Sequence, residues 1–184
     1  MSVYDATLKS ELLKIVQKES VIIKKVTLSS GKASNYYVDG KMTTLNRDGI
    51  CLIARLFAPL LKDVEAVGGP TMGADPFIGA ILYECRIQNI PISGFIVRKE
   101  VKGHGTMKMV EGPVEKGMDV AVIEDVITTG GSVIKAIKAI EEYGCKVKKV
   151  LALLDREEGG GEFFKNNGYP FFPIFKKSEL TLPE

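Results

Sequence analysis

Between Val64 and Leu154 the chain alternates short apolar runs rich in valine, isoleucine and leucine with longer amphipathic stretches. Val64 to Val67, Ile92 to Arg98, Asp119 to Ile123 and Val147 to Leu154 read as strands, while Ala74 to Ile87 and Ser132 to Tyr143 read as helices. Strands that are apolar along their whole length must be covered on both faces, and helices of this spacing supply right-handed crossovers between parallel neighbours. The expected fold class is therefore α/β, a mostly parallel central sheet with helices on both faces.

The ends depart from this rhythm. Leu8, Leu12, Ile15 and Val16 recur at helical spacing behind Asp5 or Thr7 as an N-cap, which predicts an amphipathic opening helix. Val21 to Leu28 and Ser34 to Asp39 flank the turn signal Ser29-Ser30-Gly31-Lys32 and predict a hairpin. Ile50, Ile53, Ala54, Phe57, Leu60 and Leu61 share one helical face, with Pro59 discordant near its end. After Asp155 come a Gly159-Gly160-Gly161 loop, a short helix near Phe163 and an aromatic strand from Phe171 to Phe175. At 184 residues the expectation is one domain, with a core over about 46–155 and a small cap from about 1–45 and 156–184.

A net charge of +2 from 25 basic and 23 acidic residues is too balanced for bulk attraction to nucleic acid, so any cationic site must be local. Cys51, Cys85 and Cys145 are too few and too scattered for a disulfide framework or a thiolate zinc site. With no apolar stretch of signal-peptide or membrane-spanning character, the expected location is the cytoplasm, away from membranes.

In an open parallel sheet, ligands sit beyond the carboxyl ends of the strands. There, the apolar run ending at Ile123 delivers Glu124 and Asp125, followed by Val126, Ile127, Thr128, Thr129, Gly130, Gly131 and Ser132 at the start of a helix. Small residues let backbone N–H groups converge on an anion, and the helix N-terminus adds partial positive charge. The two carboxylates would repel a phosphate but can accept hydrogen bonds from the hydroxyls of a ribose whose 5′-phosphate occupies that cradle. The same segment also fits a plain capped turn, although the acidic pair weighs against that. No Walker-type lysine follows Gly131, and no dinucleotide glycine fingerprint follows the first strand.

Three further loops carry polar chemistry. Arg98, Lys99 and Lys102, with Gly103 and Gly105 bracketing His104, concentrate positive charge on a segment suited to closing over polyanions. Gly68 to Pro76 reads as a second anion nest, as a tight turn with Asp75 capping the next helix and Pro76 in its first turn, or as both at once. Arg156, at a strand end, is either an exposed salt-bridging arginine or a fork for a planar anion.

Residues 120–132 resemble the phosphoribosyl pyrophosphate signature of the type I phosphoribosyltransferases. Arg98 to Gly105 resembles the catalytic loop of the orotate phosphoribosyltransferase family; Thr27 to Lys32 with Tyr36 and Tyr37 resembles its orotate-side hairpin, and Leu154 to Gly160 its base-contacting strand end. The resemblance implies transfer of the phosphoribosyl group to orotate, giving orotidine 5′-monophosphate and pyrophosphate. It further implies Lys102 and Asp125 as catalytic residues, with Arg98, Lys99 and His104 on the diphosphate, Glu124 and Asp125 on the ribose, Val126 to Ser132 on the phosphate, and Arg156, Thr128 and Tyr36 or Tyr37 at the base. Mg²⁺ is implied, carried on the diphosphate and ribose, as is a homodimer with shared active sites. Ser29 stands where some bacterial members carry a lysine, so that diphosphate contact is not carried over. The alternatives are a purine or uracil phosphoribosyltransferase, disfavoured by Arg156 and the basic loop, or a non-catalytic phosphoribosyl pyrophosphate-binding regulator, for which the chain offers no nucleic-acid surface.

Overall fold

Six strands form the central sheet in the order β5-β4-β3-β6-β7-β8, comprising β3 (Ala66–Pro70), β4 (Ser93–Val97), β5 (Val110–Glu111), β6 (Asp119–Ile127), β7 (Lys146–Asp155) and β8 (Phe171–Lys176). The computed structural model describes residues 3–27, 33–99 and 109–182. All neighbouring pairs are parallel except β4 with the two-residue β5. The sheet is parallel wherever the sequence shows a crossover helix. The short antiparallel edge at Val110–Glu111 carries too few residues to leave a periodic signal.

Alternation along the strands divides the core between two faces. Ala121 and Ile123 pack with Ile53, Phe57, Phe77 and Ile81, while Val120 and Val122 pack with Phe95, Ile137, Ile140 and Phe164. The first group lies under α1 (Ala6–Ile15), α3 (Arg47–Phe57) and α4 (Asp75–Ile87); the second lies under α5 (Gly131–Tyr143) and α6 (Gly160–Asn166). Phe57 and Phe77 meet edge-on at 6.4 Å between centroids, and burying each such side chain stabilises the fold by about 1.5–3 kcal/mol.

The opening helix is capped as expected, Asp5 Oδ1 accepting from Thr7 N and Leu8 N at 2.9 and 3.0 Å. The hairpin pairs β1 (Val21–Thr27) with β2 (Ala33–Val38) as a separate two-stranded sheet. Its expected turn, Ser29 to Lys32, lies outside the described residues. The helix expected through Leu61 ends at Phe57, where Pro59 directs the next turn, Ala58–Leu61, into 3-10 geometry. The Gly159-Gly160-Gly161 loop is shorter than expected, since α6 already begins at Gly160. β8 extends the central sheet, and the residues after it return to α1 through Lys9–Glu179 and to the turn that follows α1, Val16–Ser20, through Gln17–Thr181.

Candidate active site

The chain order places β3 first, β4 on one side of it and β6 on the other. Successive connections thus leave β3 in opposite directions, and the carboxyl ends of β3 and β6 open into the crevice where such sheets bind ligands. The expected strand ending at Ile123 runs four residues further, through Ile127, because Glu124, Val126 and Ile127 keep their pairing with Ala152, Leu154 and Asp155 of β7. The acidic pair therefore sits on rigid strand rather than on loop.

Both carboxylates are almost fully buried, Glu124 at 5 % and Asp125 at 6 % exposure. Ser132 Oγ donates to Glu124 Oε2 at 3.0 Å, and Asp125 N donates to Glu124 Oε1 at 3.1 Å. Asp125 Oδ1 accepts from Val126 N at 2.8 Å, and Oδ2 from Lys41 Nζ at 2.7 Å. From the β3 side, Gly73 presses its bare backbone against the pair, where an added Cβ would lie 1.5 Å from Glu124 Oε1 and 3.0 Å from Asp125 Oδ1.

Burial, and then the negative charge of Asp125, push Glu124 up to about 8 from its ordinary 4.5. The folded protein thus holds this proton up to about pH 8, whereas the unfolded carboxyl releases it near 4.5. Between those values the folded state binds more protons, so this group costs stability as pH rises, by about 2–4 kcal/mol across the window. Glu124→Gln should flatten the fall in melting temperature between pH 5 and 8, with its advantage over the wild type growing toward pH 8. Parallel melting curves for the two proteins would contradict this assignment.

Beyond the pair, Gly130 adopts φ 82°, a left-handed turn that aims the chain into α5, and a Cβ there would lie 2.9 Å from the Phe164 ring. Among the described residues the N-cap position of α5, Gly130, supplies no side-chain cap, and first-turn amides of this kind suit a ligand or water. Thr128, Thr129, Gly131 and Ser132 line this entrance with partial or full exposure. Ile127 is different: its side chain is packed in the core at 1 % exposure, and its carbonyl accepts from Arg156 N at 2.8 Å. It shapes the site through its backbone alone.

Arg98 and Lys99 share with Ser132, Lys135, Met109 and Pro70 a groove of about 520 Å³ beside the cradle, so the start of the basic loop reaches the start of α5. Arg98 also pairs loosely with Glu111 at 3.4 Å. Lys102 and His104 lie outside the described residues. Asp75 does not cap α4 as expected. It is the first residue of that helix, Oδ1 is buried without a hydrogen bond among the described residues, and burial raises its pKa.

Arg156 is not the exposed arginine of an ordinary strand end. It is 4 % exposed; one terminal nitrogen lies 2.9 Å from Glu158 Oε1 without hydrogen-bond alignment, and its Nε has no hydrogen-bond partner among the described residues. Tyr36 and Tyr37 point to opposite sides of β2, Tyr36 half-buried against the core with Lys177 over its ring at 5.7 Å, and Tyr37 41 % exposed. At most one of them can wall a base. A larger cavity of about 630 Å³, lined by Asp155, Glu157, Tyr169, Phe171 and Lys176, touches the Leu154 to Gly160 segment but none of the residues given an individual role.

Lys41 and Lys135 escape the sequence reading, and Glu158 is marked there only as part of the Leu154 to Gly160 segment, with no role of its own. Lys41 and Lys135 are charged residues on otherwise ordinary helices, and only the approach of distant elements brings them to the site; Glu158 meets Arg156 two residues away. For Lys41 the partner, Asp125, is 84 positions away in sequence.

The comparisons with known proteins agree with this geometry. The phosphoribosyl transferase domain family matches residues 43–165. Orotate phosphoribosyltransferase from Aquifex aeolicus is 44% identical over 177 residues, spanning 94% of this chain and 97% of the relative. The chain belongs to the orotate phosphoribosyltransferase family. The Mycobacterium tuberculosis orotate phosphoribosyltransferase solved with phosphoribosyl pyrophosphate superposes with a TM-score of 0.76 at 34% identity, over 94% of this chain and 98% of that one. A phosphoribosyltransferase from Corynebacterium diphtheriae superposes at 0.83, also at 34% identity, over 95% and 98% of the two chains. Among the described residues no helix of this family member is long and apolar enough to cross a membrane.

Proposed function

We propose that the protein transfers the 5-phosphoribosyl group of phosphoribosyl pyrophosphate to orotate, giving orotidine 5′-monophosphate and pyrophosphate in pyrimidine (UMP) biosynthesis. The observation that carries this reading is the buried, incompletely satisfied Arg156 guanidinium, one strand over from an acidic pair and an uncapped helix N-terminus. A planar anion with a carboxylate and a ring carbonyl matches such a fork.

The reaction needs no nucleophilic side chain. Breaking the bond between ribose C1 and the diphosphate oxygen builds positive charge on the sugar and negative charge on the leaving group, so the protein's work is positioning and electrostatic stabilisation. Glu124 and Asp125 hold the ribose hydroxyls, and Thr128 to Ser132 hold the 5′-phosphate. Arg98 and Lys99, with Lys102 and His104, clamp the diphosphate, and Arg156 with Thr128 orients orotate. Among the described residues no cluster of three or more acidic, histidine or cysteine side chains forms a metal cage. Mg²⁺, an ion that takes few carboxylates and keeps several waters, would be carried on the substrate's phosphates and ribose, with Glu124 and Asp125 as the carboxylates available to it. When bound there it neutralises charge on the departing diphosphate. The three cysteines are free thiols, which suits a reducing cytoplasm.

Identification of the product after incubation with phosphoribosyl pyrophosphate, Mg²⁺ and a panel of bases tests the assignment. Orotate should be consumed, while uracil, hypoxanthine and adenine are not. Hypoxanthine turning over faster than orotate would end it.

The active form is a homodimer in which one subunit's basic loop closes over its partner's cradle. Met72, at 65 % exposure, with Tyr83 and Ile87 on the outer face of α4 at 71 % and 61 %, offers apolar surface for a second copy to cover. Mixing inactive Lys102→Ala with inactive Asp125→Asn subunits should restore about a quarter of wild-type activity, since half the exchanged dimers are mixed and each holds one intact site. If mass spectrometry shows exchange and activity stays at background, the site is built within one chain.

A further inference from the structure

We infer that Lys41 is a positioning residue for phosphoribosyl transfer, its ammonium setting the orientation and charge of Asp125 for the ribose. The inference rests on the reading of Glu124 and Asp125 as the groups that hold the ribose hydroxyls.

Lys41 reaches the site from α2 (Gly40–Thr44), the short helix that follows the hairpin. Its backbone is fixed twice. Asp39 caps the helix by accepting from Lys41 N at 3.0 Å, and Gly40 lies so close to β6 that a Cβ there would stand 2.9 Å from Val126 Cγ2 and 3.1 Å from Asp125 Cβ. From this anchored position the ammonium makes its 2.7 Å contact with Asp125 Oδ2 while its side chain stays 41 % exposed toward solvent.

An ionised carboxylate offers about four acceptor directions. Val126 N takes one on Oδ1 and Lys41 takes one on Oδ2, which fixes the carboxylate plane from both sides and leaves a direction on each oxygen for a hydroxyl. Three carboxyl groups share this corner with the Lys41 ammonium: Asp125, which it faces, Glu124 beside it on β6 and Asp39 at the head of α2. Burial lowers the proton affinity of the ammonium, but the hydrogen bond and charge of Asp125, with the charges of Asp39 and Glu124, raise it overall. Without this ammonium the buried acidic pair would face a polyanionic substrate with no compensating charge, which favours its protonated form over ribose binding.

A half-exposed ion pair adds little to stability, so the expected signature is functional. Lys41→Met should weaken phosphoribosyl pyrophosphate binding, measured by calorimetry without orotate, by about 10–100-fold while the melting temperature stays within about 3 °C. The acid limb of kcat/KM for that substrate should move to higher pH. Lys41→Arg should restore affinity to within about fivefold, and Lys41→Gln, which donates a hydrogen bond without charge, should not. If Lys41→Met fails to fold, the Arg and Gln pair alone decides. Wild-type affinity and pH profile in Lys41→Gln overturn the inference. Asp125→Asn is the control for the underlying reading: if it too binds phosphoribosyl pyrophosphate normally, the ribose assignment has failed, whereas a defect in Asp125→Asn beside an unaffected Lys41→Gln condemns the role of Lys41 alone.

Discussion

Gly73→Ala is expected to cut kcat/KM for phosphoribosyl pyrophosphate by about 100-fold or more while the melting temperature moves by only a few degrees. The new methyl would overlap Glu124 Oε1, 1.5 Å away, and the atom that must yield is the end of a side chain rather than backbone. Rotation of that carboxylate relieves the overlap cheaply. It also breaks the Ser132 contact and moves the acceptor away from the ribose hydroxyl, and a displacement of about an ångström at a positioning group suffices for a loss of this size. The loss should fall mainly on KM, because a ribose held alike in ground and transition states is uniform binding, and on kcat only as far as the displaced carboxylate misaligns the reacting sugar. Gly69 offers the contrast: a Cβ there would meet the backbone carbonyl of Ile123 at 2.1 Å, so Gly69→Ala should act on stability first. A Gly73→Ala protein with wild-type kcat/KM would show that Glu124 is not a ribose ligand.

The repeating parts of this molecule are the ones its sequence reveals. Strands buried on both faces need continuous apolar runs, and crossover helices need a 3.6-residue stripe, so β3, β4, β6, β7, α4 and α5 are each legible within a few residues. The acidic pair and the Thr-Gly cradle are legible for a different reason, since their chemistry demands particular residue types at adjacent positions. Lys41 acts through a contact with a segment far away in the chain, and nothing local distinguishes it from a surface lysine, whereas Gly73 and Glu158 lie in loops that the sequence marks but meet Glu124 and Arg156 only in the folded chain. Asp75 shows how a local rule misleads. An Asp-Pro pair before an apolar helix resembles a capped start, yet the helix takes in Asp75 itself and leaves the N-cap position to Ala74, which cannot cap. Arg156 was legible as a residue but not as an environment, since only the packing of the β7 end against Ile127 and Glu158 removes it from water.

That environment sets the largest expected effect on the base side. Arg156→Met keeps most of the buried stem and removes the fork, and should lower kcat/KM for orotate by about 1,000-fold or more. The size follows from what each partner loses. In the wild type a buried guanidinium with an unpartnered Nε gains orotate's carboxylate, whereas in the variant that carboxylate must leave water with no charged partner. Glu158 would also lose its ion pair, so the comparison should be repeated on a Glu158→Gln background, where any general destabilisation is already present and the Arg156→Met loss should persist. Phosphoribosyl pyrophosphate binding without orotate should stay within about threefold of wild type, because Arg156 faces the base rather than the ribose or diphosphate. Orotate turnover within tenfold of wild type would show that the carboxylate is recognised elsewhere, and an equal loss in phosphoribosyl pyrophosphate binding would move Arg156 from the base to the phosphoribosyl side of the site.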